Sequence, residues 1–388
     1  MNEYKPVPGA VLFRALHDKK SITMACNTRI VKGVVRGIMR AAKTTDSAVI
    51  FELAKSECDL KGGYTGLTPK AFSEQVHNIA REVKHDIWAL HADHTTVKKG
   101  SPEEIQDVKK LLDAIINAGY TSFSIDASVL FNTEGKTVEE ELAKNIEATA
   151  ELAKYIENKR GSKDHGLEVE VGEIGKTDAN GRVLTTPEEA VAFVKALNRN
   201  GVDPQVLAIA NGSAHGNIFD ESGKPIAQVS IDIPLTKKVA KSLYDNNLGV
   251  RIAQHGITGT PLEFINAYFP KGDITKGNVG TFWMNIVWDA LKIYQPELYK
   301  DIWDWTLSTY KEESAKKGLK TDEQIFGIYS KNAIKVFFDR IYAVDKETEH
   351  AIESAAYSEA LKFFRAFSSE GSATIVREHI KSSVGSNS

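Results

Sequence analysis

Residues 87–94 read Ile87-Trp88-Ala89-Leu90-His91-Ala92-Asp93-His94, a short apolar run of strand-forming residues that leads straight into ligand-type side chains. Seven more runs of this kind are spaced along the first 290 residues: Ile22 to Cys26, Ala48 to Leu53, Thr121 to Ile125, Leu167 to Val171, Val206 to Ala210, Val250 to Ala253 and Ile274 to Thr281. Longer amphipathic stretches separate them, which is the pattern of parallel strands joined by helical crossovers. Eight such units predict an α/β fold, a TIM (β/α)8 barrel, with a doubly wound open sheet as the alternative.

The crossovers carry their own start and stop signals. Ser101-Pro102-Glu103-Glu104 sets a capping hydroxyl, a proline at the first helical position and a glutamate three residues past the cap, ahead of the apolar face Ile105, Val108, Leu111, Leu112, Ile115 and Ile116. Gly119 supplies the stop, and Thr186-Pro187-Glu188-Glu189 repeats the device with Gly201 as its stop. Beyond residue 290 the sequence turns aromatic-rich, and apolar spacing predicts helices over 302–317, 322–338 and 346–367. The expected division is a barrel over 1–290, a C-terminal helical extension over 291–380 and a flexible tail over 381–388.

Composition narrows the class. With 388 residues, 42% hydrophobic and 26% charged, the chain has ample material for a core. Lys+Arg of 49 against Asp+Glu of 52 gives a net charge of -3, which argues against nucleic acid or a membrane surface as partner. Cys26 and Cys58 are too few for a disulfide framework and fit a reducing compartment. No apolar run approaches ~20 residues, and the start MNEYKPVPGA has no signal-peptide core, so a cytoplasmic address is expected.

In a TIM barrel the carboxyl ends of all strands face one site, so residues distant in sequence converge there. His91-Ala92-Asp93-His94 follows the third run, Asp126 the fourth, His215 the sixth and His255 the seventh, while Glu168 and Glu170 lie in the fifth. Any one of these histidines alone reads as an ordinary packed residue. Their succession at strand ends points to a divalent metal, Zn2+ or else Co2+ or Mn2+, held by His94, His215 and His255. A local turn beyond the strand would aim Asp93 at substrate while His94 reaches the metal. The segments Ala214-His215-Gly216, His255-Gly256-Ile257-Thr258-Gly259 and Gly277-Asn278-Val279-Gly280-Thr281 fall where barrels bind phosphate through backbone amides, though each alone also reads as a tight turn.

Taken in order, ALHADH, SFSIDAS, LEVEVGEIG, NGSAHG, QHGITG and KGNVGT resemble the class II, metal-dependent fructose-bisphosphate/tagatose-bisphosphate aldolases over about residues 8 to 290. The resemblance implies a barrel that cleaves a ketose phosphate into dihydroxyacetone phosphate and an aldehyde, as a homo-oligomer, a dimer or tetramer. It makes Asp93 the acid/base and His94, His215 and His255 the zinc ligands, with Asp126 and Glu170 at an alternative metal position. Asn278 matches the asparagine near the substrate carbonyl. Gly216, Gly256, Thr258 and Thr281 match parts of a phosphate and monovalent-cation site, to which the Gly280 amide adds. Asp178 lies near where the family places a mobile acidic residue that handles the proton at the carbanion carbon.

Departures from the family pattern bear on substrate. Phe219 stands where a phosphate-gripping lysine is usual, Gly280 where an aspartate is, Glu52-Leu53-Ala54 replaces a serine that ends strand two, and HGITG replaces HGGSG. These losses predict weaker binding of a bisphosphate and point toward a substrate without phosphate on C1. Glu52 could accept hydrogen bonds from sugar hydroxyls and Lys55 could replace the missing cation. Three functions stay open: an aldolase of a phosphorylated ketose, a C4 epimerase of a ketose or ketose phosphate by retro-aldol and re-addition, and a noncatalytic sugar-binding barrel.

Overall fold

The computed structural model describes residues 4–178, 181–214 and 216–385. Eight parallel strands close into a barrel: β1 (Thr23–Asn27), β2 (Val49–Ala54), β3 (Trp88–Thr96), β4 (Ser122–Asp126), β5 (Gly166–Glu170), β6 (Val206–Ala208), β7 (Arg251–Gln254) and β8 (Ile274–Val279). Each pairs with its neighbours in sequence, and β8 returns to β1 with Asn278 opposite Ala25. The TIM barrel is therefore the fold and the open sheet is excluded. The runs expected from sequence are the barrel strands, with ends shifted by at most two residues, except that β3 continues past His91 to Thr96.

Three layers fill the interior. At the amino ends of the strands the helix Gly9–Leu16 closes the barrel, its Leu12, Phe13 and Leu16 packed with Ile50, Ala89, Val206 and Ala253. Gly9 is needed there, since a Cβ would lie 2.7 Å from Ser122 Cβ and from the Gly166 nitrogen. Above this plug sits a layer of fully buried charged and polar side chains, Glu52, His91, Glu168 and Lys276. The carboxyl ends of the strands open above it into a cavity. Outside the barrel, strand residues such as Phe51, Leu90, Phe123 and Val169 pack on the crossover helices in a continuous core.

Capping follows the sequence signals. Thr186 forms the full capping box with Glu189. Ser101 accepts from Glu104 N, but the Glu104 carboxylate turns instead to the amides of Lys98, Lys99 and Gly100, tying down the loop after β3.

The C-terminal helices are built onto the barrel. The helix Lys346–Ala366 lies along Val34–Thr44, where Gly37 allows the approach: a Cβ there would stand 2.8 Å from Ala356 Cβ. The single helix expected over 322–338 is instead Asp322–Tyr329, a 3-10 turn Ser330–Asn332, and the short helices Ala333–Val336 and Phe338–Tyr342. Tertiary bonds break it: Trp288 donates to Ser330 Oγ at 3.2 Å, and Lys335 N donates to Tyr64 O at 3.1 Å. The last helix runs Ser372–Gly385, so residues 381–385 of the expected tail are helical, and 386–388 lie outside the described residues. Among the described residues no helix is long and apolar enough to cross a membrane. Both cysteines are buried and free.

Candidate active site

The site begins with a β-bulge. Between β3 and β4 the register runs His91 to Ser122 and Ala92 to Phe123, then shifts to Thr95 opposite Ile125 and Thr96 opposite Asp126. Asp93 and His94 are the residues taken up by the shift, and His94 has φ 36°, a strained conformation for a residue with a Cβ. This corrects the expected turn beyond the strand. The strand does not stop; it buckles, and the buckle aims two adjacent side chains at the barrel mouth.

Glu170, Asp126 and His255 surround His94 there. Its Nδ1 lies 3.0 Å from Glu170 Oε2 and 3.4 Å from Asp126 Oδ2, and its Nε2 is 3.0 Å from His255 Nδ1. His255 directs Nε2 to Glu168 Oε1 at 2.8 Å. Burial works against a charge on His94, but the Asp93 and Glu170 carboxylates hold its pKa well above the usual imidazole range. Burial and the neighbouring His94 hold His255 below it. Burial, with Asp126 alongside, pushes Glu170 up to about 7.

Asp93 is 3% exposed. Its Oδ2 accepts from Asn27 Nδ2 at 2.8 Å, while Oδ1 has no hydrogen-bond partner. Burial would raise its pKa, but His94 and Lys276 outweigh that and hold the carboxyl well below its ordinary range. The result is an ionised carboxylate with one oxygen anchored and the other unbonded.

Among the described residues, three groups bring ligand atoms within 4.8 Å of one another and could hold a metal ion: Asp93 with His94 and His255, His94 with Asp126 and Glu170, and Glu52 with His91 and Asp93. His94 belongs to the first two and links them. His215 lies outside the described residues. Asp178 has its backbone in a short hairpin, Thr177–Asp178 with Gly181–Arg182.

The cavity above these groups encloses about 370 Å³ and is lined by Asp93, His94, Asp126, Glu170, Gly216, His255, Gly256, Thr258, Asn278, Gly280 and Thr281, all expected from sequence. Glu52 is corrected. It lies beneath the cavity, fully buried, 2.9 Å from Lys276 Nζ and accepting from Asn278 Nδ2 at 2.6 Å. Lys55 does not line the cavity either; its ammonium donates to Thr96 O at 2.8 Å. Phe219 sits in a hairpin, Ile218–Phe219 with Pro225–Ile226, its ring against Gly327 of the extension, where a Cβ would be 2.8 Å from Phe219 Cε2.

Sequence reasoning missed the cations that do line it, Arg29 and Lys331. Arg29 donates to Glu57 Oε1 at 2.6 Å and to Thr281 Oγ1 at 2.9 Å. A Cβ on Gly280 would stand 3.3 Å from Arg29 Nη2, so the guanidinium fills the space that a side chain at 280 would take. Lys331, on the 3-10 turn of the extension, stands 5.6 Å from the Tyr64 ring centre, with its pKa lowered by burial and by Arg29. Arg29 lies two residues past the end of β1 and could have been read as a strand-end residue. Lys331 could not, because its place depends on the break in a helix that periodicity reads as continuous.

The cavity is bipolar: carboxylates and imidazoles at one end, Arg29 and Lys331 at the other. A sequence model described as Fructose-bisphosphate aldolase class-II matches residues 9–331. A D-tagatose 6-phosphate 4-epimerase of Agrobacterium fabrum is 30% identical over 114 residues, 28% of this chain and 26% of the relative, so the match spans about a quarter of that protein. Similar solved structures include the YdjI aldolase of Escherichia coli K12 (18% identity, TM-score 0.58, covering 94% of this chain and 98% of that one). Another is a fructose-bisphosphate aldolase of Campylobacter jejuni (16%, TM-score 0.62, 96% and 98%). At these identities the structures share the fold.

Proposed function

The chain belongs to the class-II fructose-bisphosphate aldolase family, and we propose that it breaks and re-forms a carbon–carbon bond of a ketose phosphate by a metal-assisted aldol reaction. The observation that carries this reading is Asp93, a buried carboxylate with Oδ2 fixed by Asn27 and Oδ1 unbonded, next in sequence to a histidine that faces a second histidine.

A divalent ion held by His94 and His255, by His215 on the family resemblance, and by Asp126 and Glu170 at an alternative position, would supply a Lewis acid for the ketose carbonyl. Asp93 takes the proton of the C4 hydroxyl as the C3–C4 bond breaks, and returns it in the reverse direction. Asn278 Oδ1, without a hydrogen-bond partner, accepts from a substrate hydroxyl. Arg29 and Lys331, with Thr258, Thr281 and the amides around Gly256 and Gly280, receive the phosphate at the far end. Asp178 handles the proton at the carbanion carbon, a role that rests on the resemblance alone.

A second reading has its own support in the identity to a D-tagatose 6-phosphate 4-epimerase. If the aldehyde rotates in place before the bond re-forms, the same residues invert C4. Metal-loaded protein incubated with ketoses, with and without phosphates, and followed by mass spectrometry and NMR separates the two. Triose release supports the aldolase, an isomer of unchanged mass supports the epimerase, and an unaltered panel ends both readings.

A further inference from the structure

Beneath the cavity lies a charged cluster with no assigned part in the proposed chemistry. Lys276 is fully buried at the centre of the barrel. Its Nζ is 2.7 Å from Glu168 Oε2, 2.9 Å from Glu52 Oε2 and 4.0 Å from Asp93 Oδ1. His91 completes the ring, with Nδ1 held by Ser122 Oγ at 2.6 Å and Nε2 3.7 Å from Glu168 and 4.0 Å from Glu52.

Glu52, His91 and Asp93 by themselves have the spacing of a metal site, ligand atoms within 4.8 Å of one another. His91 Nε2 and Asp93 Oδ1 are buried with no hydrogen-bond partner, so a nitrogen and an oxygen face this point with nothing bonded to them. Yet the point lies beside an ammonium. We propose that Lys276 is a built-in cation that fills a divalent-metal position, keeping an ion off Glu52, His91 and Asp93 and leaving the His94 and His255 end to take it.

Electrostatics favour this arrangement. Three carboxylates this deep need a positive partner, and a covalently attached one cannot be lost to solvent or chelator. The barrel wall fixes it, since Lys276 is paired in register with Thr23 of β1 and Ala253 of β7. At 4.0 Å it is too far from Asp93 Oδ1 to hydrogen-bond, so it favours the ionised carboxylate without occupying the oxygen. A divalent ion in the same place would bind that oxygen and remove it as a base. Lys276 is thus a positioning residue, and only this last consequence rests on the aldolase reading.

The test counts Co2+ bound per chain by equilibrium dialysis and elemental analysis, without substrate. Lys276→Met, close in shape and uncharged, is expected to bind one more Co2+ than wild type, and Lys276→Met with His91→Phe to return to the wild-type count. A Lys276→Met chain that folds only when Co2+ is added gives the same result in another form. A folded Lys276→Met chain with the wild-type count overturns the proposal. If Lys276→Met folds under no condition, His91→Phe alone decides: an unchanged count supports the proposal, and loss of one ion shows that His91 holds metal despite the lysine and overturns it. Lack of turnover on every ketose phosphate would end the aldolase reading and leave these counts as they are.

Discussion

His94 Nε2 lies 3.0 Å from His255 Nδ1, with the ring centres 4.5 Å apart. A hydrogen bond between two imidazole nitrogens needs one proton between them, and the opposite pKa directions of the two rings assign it to His94. A metal ion bound by both nitrogens takes that proton's place. Zn2+ binding should therefore release protons, seen as a buffer-dependent heat in titration calorimetry, and should weaken as pH falls. His94→Ala and His255→Ala should each lower metal content with the barrel still folded. Glu168→Gln, which removes the charge of the carboxylate shared by His255 and Lys276, should weaken affinity about 10- to 100-fold. Equal heats in buffers of different ionisation enthalpy would refute the shared-proton account.

Asp93 differs because Asn27 anchors its Oδ2. Asp93→Ala should lower turnover by about 10²- to 10⁴-fold with metal retained, the range of a positioned acid/base. Asn27→Ala should lower it less, since it frees Asp93 to rotate without removing it. Loss of metal together with activity in Asp93→Ala would instead make Asp93 a support for His94.

The barrel was legible in the sequence because each strand is a short apolar run set between amphipathic helices, several of them capped by a side chain, and such local signals survive without knowledge of tertiary contacts. The cluster at the strand ends was legible for the same reason. What sequence could not show depends on three-dimensional neighbours. Glu52 reads as a strand-end carboxylate and is spent on Lys276, a partner 224 positions away in sequence. The aim of His94 comes from a register shift between two strands, which neither strand records alone. Lys331 reaches the cavity only because contacts with Trp288 and Tyr64 interrupt its helix.

The far end of the cavity sets the expectation for substrate. Arg29→Ala and Lys331→Ala each remove a charge-assisted donor that contributes about 1.5–3 kcal/mol when engaged, on the order of 10- to 100-fold in KM. That loss should appear for phosphorylated ketoses and be absent for unphosphorylated ones. Phe219→Lys and Lys55→Ala, neither of which faces the cavity, should leave KM unchanged. Equal losses on both substrate classes would assign Arg29 and Lys331 to holding Glu57 and Tyr64 rather than phosphate.

Arg377 fastens the last helix to the barrel through two aspartates, donating to both carboxylate oxygens of Asp86 at 2.8 Å and to Asp46 Oδ1 at 2.7 Å. The Arg377 hydrogen bonds hold Asp86 below its ordinary pKa against the cost of burial. At Asp46 burial pulls upward, and Thr374 and Arg377 outweigh it. Both folded values are depressed, so the stabilisation is complete above the unfolded aspartate pKa of about 3.9 and is lost as pH falls through the folded values. Hydrogen exchange across residues 372–385, corrected for intrinsic rate, should stay level from about pH 7 to pH 5. Below about pH 4 it should rise before the barrel strands begin to open. In Arg377→Ala the segment should exchange faster throughout with a smaller acid step, because of the two carboxylates only Asp46, through Thr374, then still ties the helix to the barrel. An acid step of undiminished size in that variant would place the sensitive groups elsewhere.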